Sequence, residues 1–348
     1  MTLIIDPPNS AGHGRLWSHL ASDASFEELH RFARSLGVPA QGFDRDHYDI
    51  PAERYASVVA AGAVPVPSRE LIRRLQQAGL RRRKTQTLAP RRPGRALLRP
   101  PRLHRGDTVA VVAPSGPVRA DRLEAGLAVL RSWGLQVVVG DHVTAGRPHL
   151  GYLAADDRAR ATDLERAWCD PRVAAVFCAR GGYGVQRILD LLDWEALAAA
   201  GPSVLVGFSD VTALHQGFAS RLGVVTVHGP VVTSLGSGDQ ASRDHLRALL
   251  LEPRPGLSLT PDPVRTVVGG SAEGVLLGGN LSLLAAGVGT SADRHAAGAV
   301  VVLEDVGEEA YRLDRLLTQL LRSGWLDGVR GVAVGELAGG ASTAAGQA

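Results

Sequence analysis

Lysine is nearly missing from this chain: of 38 basic residues only Lys84 is a lysine, and the rest are arginines. A phosphate-binding loop of the Walker kind needs a lysine directly after its glycines, and a pyridoxal enzyme needs one in a pocket. Lys84 sits instead in the run Arg81-Arg82-Arg83-Lys84, which excludes both classes. Cysteine is almost as scarce. Cys169 and Cys178 form neither a Cys-x-x-Cys pair nor a Cys/His metal pattern, so a disulfide framework and a zinc ribbon gain no support and two buried thiols are expected. No apolar run reaches the ~18 residues needed to span a bilayer. The opening Met-Thr-Leu-Ile-Ile-Asp-Pro-Pro lacks the basic and apolar stretches of a secretory signal, which leads us to expect a cytoplasmic protein without membrane contact.

What is present describes a folded protein of more than one domain. The 348 residues divide into two or three domains at about 150 each. An apolar share of 45%, a charged share of 21% and a mean hydropathy of +0.02 are globular values. The net charge of +3 is unevenly placed, because residues 81–100 hold eight basic and no acidic side chains. That stretch, RRRKTQTLAPRRPGRALLRP, also has three prolines and no periodicity that could bury a face, and reads as a linker. A basic run can bind nucleic acid by counterion release, but a solvated linker accounts for it and nucleic acid is not an expected partner.

The linker separates a small α/β module (residues 1–80) from an α/β region expected to form two domains, 101–258 and 259–348. In the module, Leu3-Ile4-Ile5 reads as a strand. Ser25 to Leu36 reads as a helix with Ser25 as cap, Glu27 and Glu28 in its first turn, and an apolar face of Phe26, Leu29, Phe32, Ala33 and Leu36. A second helix runs from Ser68 to Ala78. After the linker, strands and helices alternate: Thr108 to Ala113, Arg122 to Trp133, Gln136 to Val139, Arg158 to Cys169, Val173 to Ala179, Val185 to Leu192, Val204 to Phe208. Such alternation implies right-handed crossovers and a parallel sheet covered on both faces. Gly274 to Leu277, Ala299 to Leu303 and Gly331 to Gly335 read as further strands, and Tyr311 to Arg322 as a helix.

In open α/β sheets ligands gather at the carboxyl ends of strands. Ser115, after the first of these, could cap the next helix or touch a ligand. Arg180-Gly181-Gly182-Tyr183-Gly184 could cradle an anion with its backbone N–H groups or simply make tight turns. The run from Val204 into Ser209-Asp210 is compatible with a nucleophile elbow and with a helix-capping serine. Glu304, ending the run Val300 to Leu303, could orient a histidine, bind a metal or cap a turn.

These junctions also carry a likeness. The ordered set Gly106-Asp107-Thr108 with Ala113-Pro114-Ser115, Arg180-Gly181-Gly182-Tyr183-Gly184, Gly207-Phe208-Ser209-Asp210-Val211-Thr212-Ala213-Leu214-His215, His228-Gly229-Pro230, Gly278-Gly279-Asn280-Leu281 and Leu303-Glu304-Asp305 makes residues 101 to about 340 resemble the LD-carboxypeptidase family. These are serine peptidases of peptidoglycan recycling, with relatives that give immunity to microcin C. The resemblance implies cleavage of an amide between an L-centre and a D-residue, releasing terminal D-alanine from a muramoyl tetrapeptide, with no metal or cofactor. It implies Ser209 as nucleophile, Glu304 as the residue that orients the general-base histidine, the N–H groups of Asp210 and Gly182 as oxyanion hole, and a homodimer. Arg180 and Asn280 are candidates for holding substrate carboxylates, with structural roles as the alternative. Residues 1–80 resemble a small bacterial family of unknown function through Asp6-Pro7-Pro8, His13-Gly14-Arg15-Leu16-Trp17-Ser18-His19-Leu20 and Phe43-Asp44-Arg45-Asp46-His47-Tyr48-Asp49, which implies no activity.

One departure stands out. The family's histidine lies beyond the glutamate in a glycine-histidine segment, whereas the last of the eleven histidines here is His295. His215, six residues past Ser209 on a helix, is turned about 240° away from it. His228 belongs to the His-Gly-Pro motif, and both are expected to be structural or to line the substrate. Three readings follow: an active peptidase, an inactive muropeptide-binding protein, or a truncated gene product with an incomplete C-terminal domain. The chain as written is expected to have essentially no turnover. Its tail from Glu336 is expected to be mobile, and an open sheet edge is expected to promote association. In the module, Asp44, Asp46, His47 and Asp49 crowd a loop that could hold a metal or a phosphodiester, and turn-forming aspartates explain it equally.

Overall fold

In the computed structural model the chain forms two compact units, Met1–Gln86 and Thr87–Ala348. The structure describes residues 2–12, 15–39, 42–44, 46–80, 97–144, 150–254 and 264–338. Most of the basic linker and the last ten residues lie outside them.

The first unit is richer in strands than its sequence suggests. Strands β1 (Leu3–Ile5), β2 (Ser10–Gly12), β3 (Arg15–Ser22), β4 (Phe43–Asp44), β5 (His47–Pro51) and β6 (Val64–Pro65) form one sheet with helices α1 (Phe26–Ser35), α2 (Tyr55–Ala60) and α3 (Ser68–Gln77). Its order is β4-β5-β3-β1-β6, with β2 on β3, and only the β1–β6 pair is parallel. Ile5, Leu20, Tyr48 and Ile50 pack with Leu29 and Ala33 of α1, while Ile4 and Ala21 pack with Leu71 and Leu75 of α3. Ser25 caps α1 as expected, its hydroxyl accepting the Glu28 N–H at 3.2 Å. The crowded aspartates are a correction: Asp44, His47 and Asp49 stand in the β4–β5 hairpin and Asp46 in its turn, not in an open loop.

The second unit begins with β7 (Thr108–Val112), α4 (Ala120–Ser132), β8 (Gln136–Val139), α5 (Asp157–Cys169), β9 (Val173–Cys178), α6 (Val185–Ile188), α7 (Trp194–Ala200), β10 (Val204–Gly207), α8 (Thr212–Gly217), β11 (Val227–His228), α9 (Val232–Leu235) and α10 (Gln240–Leu251). The strands form a parallel sheet in the order β11-β10-β9-β7-β8. Leu164, Trp168, Leu214 and Phe218 belong to the core on one side, and Leu123, Leu127, Leu130 and Leu246 to the core on the other. The chain continues with β12 (Val275–Asn280), α11 (Leu281–Gly287), β13 (Ala299–Val306), α12 (Ala310–Arg322) and β14 (Gly331–Ala338), a second parallel sheet in the order β12-β13-β14.

The α/β class and the parallel sheets match the expectation, with local exceptions. The helix expected to reach Leu192 stops at Ile188, because Asp193 accepts the Glu195 and Ala196 N–H groups and starts α7. Ser115 does not cap α4, which starts from Arg119 without a side-chain cap; Ser115 is wholly buried. Cys178 is buried and its thiol pKa is pushed up by that burial, but Cys169 is only half-buried. Residues 336–338, expected in the mobile tail, complete β14. No described helix is long and apolar enough to cross a membrane.

Candidate active site

Strand β10 is buried throughout, and the chain leaves it through Phe208 in extended conformation. Ser209 then turns to φ +65°, the sole positive φ of a non-glycine among the described residues. A left-handed L-residue costs roughly 1–2 kcal/mol. Such a sharp strand-to-helix turn lifts a serine hydroxyl clear of its own backbone. The capping alternative does not hold, since neither the 3-10 turn at Ser209–Val211 nor α8 receives a side-chain cap.

The glycine loop after β9 lies against this serine. A Cβ on Gly181 would stand 2.9 Å from the Ser209 Cβ and 3.0 Å from its Oγ, so only glycine fits. Gly182 and Gly184 have φ of +117° and +128°, conformations that glycine adopts at little cost. The loop is pinned by Arg160 of α5, which is 1% exposed. Its guanidinium donates to the carbonyls of Pro114, Ala155 (3.1 Å) and Gly184 (3.0 Å) and to Asp157 (2.5 Å). The glycine loop and Asp210 thus flank Ser209 from two segments.

The Asp210 side chain turns inward, its Oδ2 accepting the Val185 N–H at 2.9 Å. Burial raises its pKa against the opposing pull of that N–H, the Ser115 hydroxyl, the Gly184 N–H and Arg160. Arg180 has no buried acid as partner. It is exposed and donates to the Pro117 carbonyl at 2.7 Å, joining the glycine loop to the turn after β7. Beside it, exposed Tyr183 meets Tyr152 with ring centroids 5.8 Å apart.

The second sheet reaches this turn through one threonine. The Asn280 N–H donates to Thr212 Oγ1 at 3.0 Å, and Gly279 (φ +125°) packs so closely on Thr212 that a Cβ would stand 2.6 Å from that oxygen. Asn280 is in register with Glu304 on β13, so Glu304 lies beside the strand end that meets Thr212. Asn280 is itself buried and engaged at both ends: its oxygen caps α11 by accepting the Leu283 N–H, and its amide donates to Asp305 at 3.0 Å. These contacts hold the turn from β12 into α11.

Glu304 is half-buried beside a register shift between Leu303 and Asp305. Burial, then the neighbouring Asp305, pushes its carboxyl above the usual range, with the Asn280 amide pulling the other way. Of the histidines, His215 is buried and donates from Nε2 to the Gly207 carbonyl at 2.8 Å; burial pushes its pKa down to about 4. It braces β10. His228 pairs in register with Gly207, its ring 6.2 Å from Phe208, and desolvation lowers its pKa. Among the described residues no side chain hydrogen-bonds the Ser209 hydroxyl. A cavity of about 130 Å³ lies across α8, lined by residues including Asp190, Gln216 and Trp325, and none of the site residues borders it.

Sequence reasoning passed over Thr212, Asp305, Gly181 and Arg160. Arg160 left a signal: it stands four and eight residues before Leu164 and Trp168, a charge inside the buried stripe of α5. Thr212 left none, because its partner belongs to another sheet.

Residues 109–229 match the family described as the LD-carboxypeptidase N-terminal domain and residues 273–347 its C-terminal domain. Residues 3–78 match a family described as protein of unknown function. The chain is 58% identical over 246 residues to a Streptomyces coelicolor relative that bears a carboxypeptidase designation, covering 70% of this chain and 79% of that one. It is 42% identical over 223 residues to the murein tetrapeptide carboxypeptidase of Pseudomonas aeruginosa, covering 62% and 71%. The crystal structure of muramoyltetrapeptide carboxypeptidase from Oxalobacter formigenes superposes with a TM-score of 0.57 at 29% identity, over 66% of this chain and 76% of that one.

Proposed function

The chain belongs to the LD-carboxypeptidase family of serine peptidases, and from that premise we propose that its substrate is a muramoyl tetrapeptide, cut at the L–D amide to release terminal D-alanine during cytoplasmic peptidoglycan recycling. Ser209 attacks the scissile carbonyl, and the N–H groups of Asp210 and Gly182 stabilise the oxyanion as it forms. Membership of the family gives Glu304 the role of orienting the imidazole that accepts the serine proton and of stabilising its charged form. Exposed Arg180 of the glycine loop would meet a substrate carboxylate, and Asn280 pairs in register with Glu304. The observation that carries this reading is the left-handed Ser209 turn pressed against Gly181.

The base is the open element. No histidine follows Glu304 within these 348 residues, and His215 is committed to the Gly207 carbonyl. We therefore expect the chain as written to turn over more slowly than a complete triad by a factor on the order of 10⁶, the cost of losing the histidine in another serine peptidase. The test is incubation with muramoyl tetrapeptide and assay of free D-alanine, with Ser209→Ala alongside. Negligible release is expected from both. Release at an ordinary enzymatic rate that disappears in Ser209→Ala would assign the base to a histidine of this chain, with His228 the first to replace. Release that survives Ser209→Ala would remove Ser209 from the mechanism.

A further inference from the structure

The first unit shares no residue with that chemistry, yet it assembles a set of metal donors. Pairing of β3 with β5 sets His19 opposite Asp49, and His47 lies two residues from Asp49, so the strand period of two puts all three on one face. One donor atom from each residue falls within 4.8 Å of the others, and His47 Nε2 is 3.4 Å from Asp49 Oδ1. Both rings are held from behind. His19 Nδ1 pairs with Asp6 at 2.9 Å and His47 Nδ1 with Asp46 at 2.7 Å, and both carboxylates are 1% exposed. Asp6 also accepts the His19 backbone N–H at 2.6 Å.

A carboxylate on Nδ1 fixes the tautomer that presents Nε2 and makes it more basic, as it does for ligating histidines in metal sites. We propose that this unit binds one divalent transition-metal ion through Nε2 of His19, Nε2 of His47 and a carboxylate oxygen of Asp49, with Asp6 and Asp46 as positioning residues. Two imidazoles and a carboxylate suit zinc, iron or manganese rather than calcium or magnesium, which prefer all-oxygen shells. Three protein ligands leave at least one coordination position for water or a substrate oxygen. Bonds of 2.0–2.1 Å place tetrahedral donors ~3.3 Å apart, so small side-chain rotations close the set.

Calorimetric titration of the full chain with Zn²⁺ should give one ion per chain. His47→Ala and Asp49→Asn should each weaken binding more than tenfold, and Asp6→Asn should weaken it roughly ten- to a hundredfold while shifting the Co²⁺ absorption bands instead of removing them. Asp49 is half-buried and Asp49→Asn preserves its shape, and far-UV circular dichroism without metal checks that every variant keeps the fold. No binding of Zn²⁺, Mn²⁺ or Co²⁺, or unchanged affinity in His47→Ala and Asp49→Asn, overturns the proposal.

Discussion

The two parallel sheets of the second unit differ in how many faces they bury. In the five-stranded sheet, β9 and β10 are apolar runs with core on both sides. In the three-stranded sheet, β13 alternates buried and half-buried residues, and Leu276, Val332 and Val334 are exposed on its neighbours. The contrast fits what each contributes. A doubly covered strand can hold Ser209 in a strained conformation, since the packing around it fixes the backbone. Glu304 stands on the less covered sheet, half-buried in the alternating pattern of β13.

One substitution made in both sheets breaks the comparison most visibly. Leu205→Ala on β10 should cost about 2–5 kcal/mol in urea unfolding, and Leu276→Ala on β12 no more than about 0.5 kcal/mol. Equal costs would mean that both sheets are packed alike. The joint between the sheets comes next. Thr212→Val keeps the shape but strands the buried Asn280 N–H, at a cost of roughly 1–3 kcal/mol, and a change within error would show that the sheets hold together without it.

The smallest effect is in pH. The folded-state pKa of Glu304 is raised, so the folded chain holds that proton more tightly than the unfolded one. Its contribution is full in acid, below the ordinary carboxylate range, and is lost as pH rises through that range to the raised value. Glu304→Gln removes this titration, while Asp210 titrates in both proteins and cancels. Between about pH 4 and 7 the variant should lose less stability than the parent, as read from the melting temperature, and parallel profiles would show Glu304 titrating as it does unfolded.

The same contrast explains what could be read in advance. Runs such as Val204 to Phe208 announce doubly covered strands, and a serine at the end of such a run marks a candidate site. Gly278-Gly279 looks like a turn, yet it belongs to β12, where a Cβ on Gly278 would stand 1.9 Å from the Val302 carbonyl oxygen. In β3, Ser18 and His19 interrupt the apolar pattern on both faces, which hid an eight-residue strand. His47 and Asp49 were visible as neighbours, but His19 joins them only through pairing between β3 and β5. Periodicity reports what a segment buries and is silent about which strand lies beside it.

The left-handed turn at Ser209 has a consequence for how this protein can change. Glycine would occupy φ +65° without the penalty a side chain meets there, so at this one position a gain in stability leads away from the hydroxyl. Selection for folding alone drifts toward glycine, and the serine persists only while its chemistry is under selection. Among descendants of such a chain, the residue found at this turn is a record of whether hydrolysis was still worth keeping.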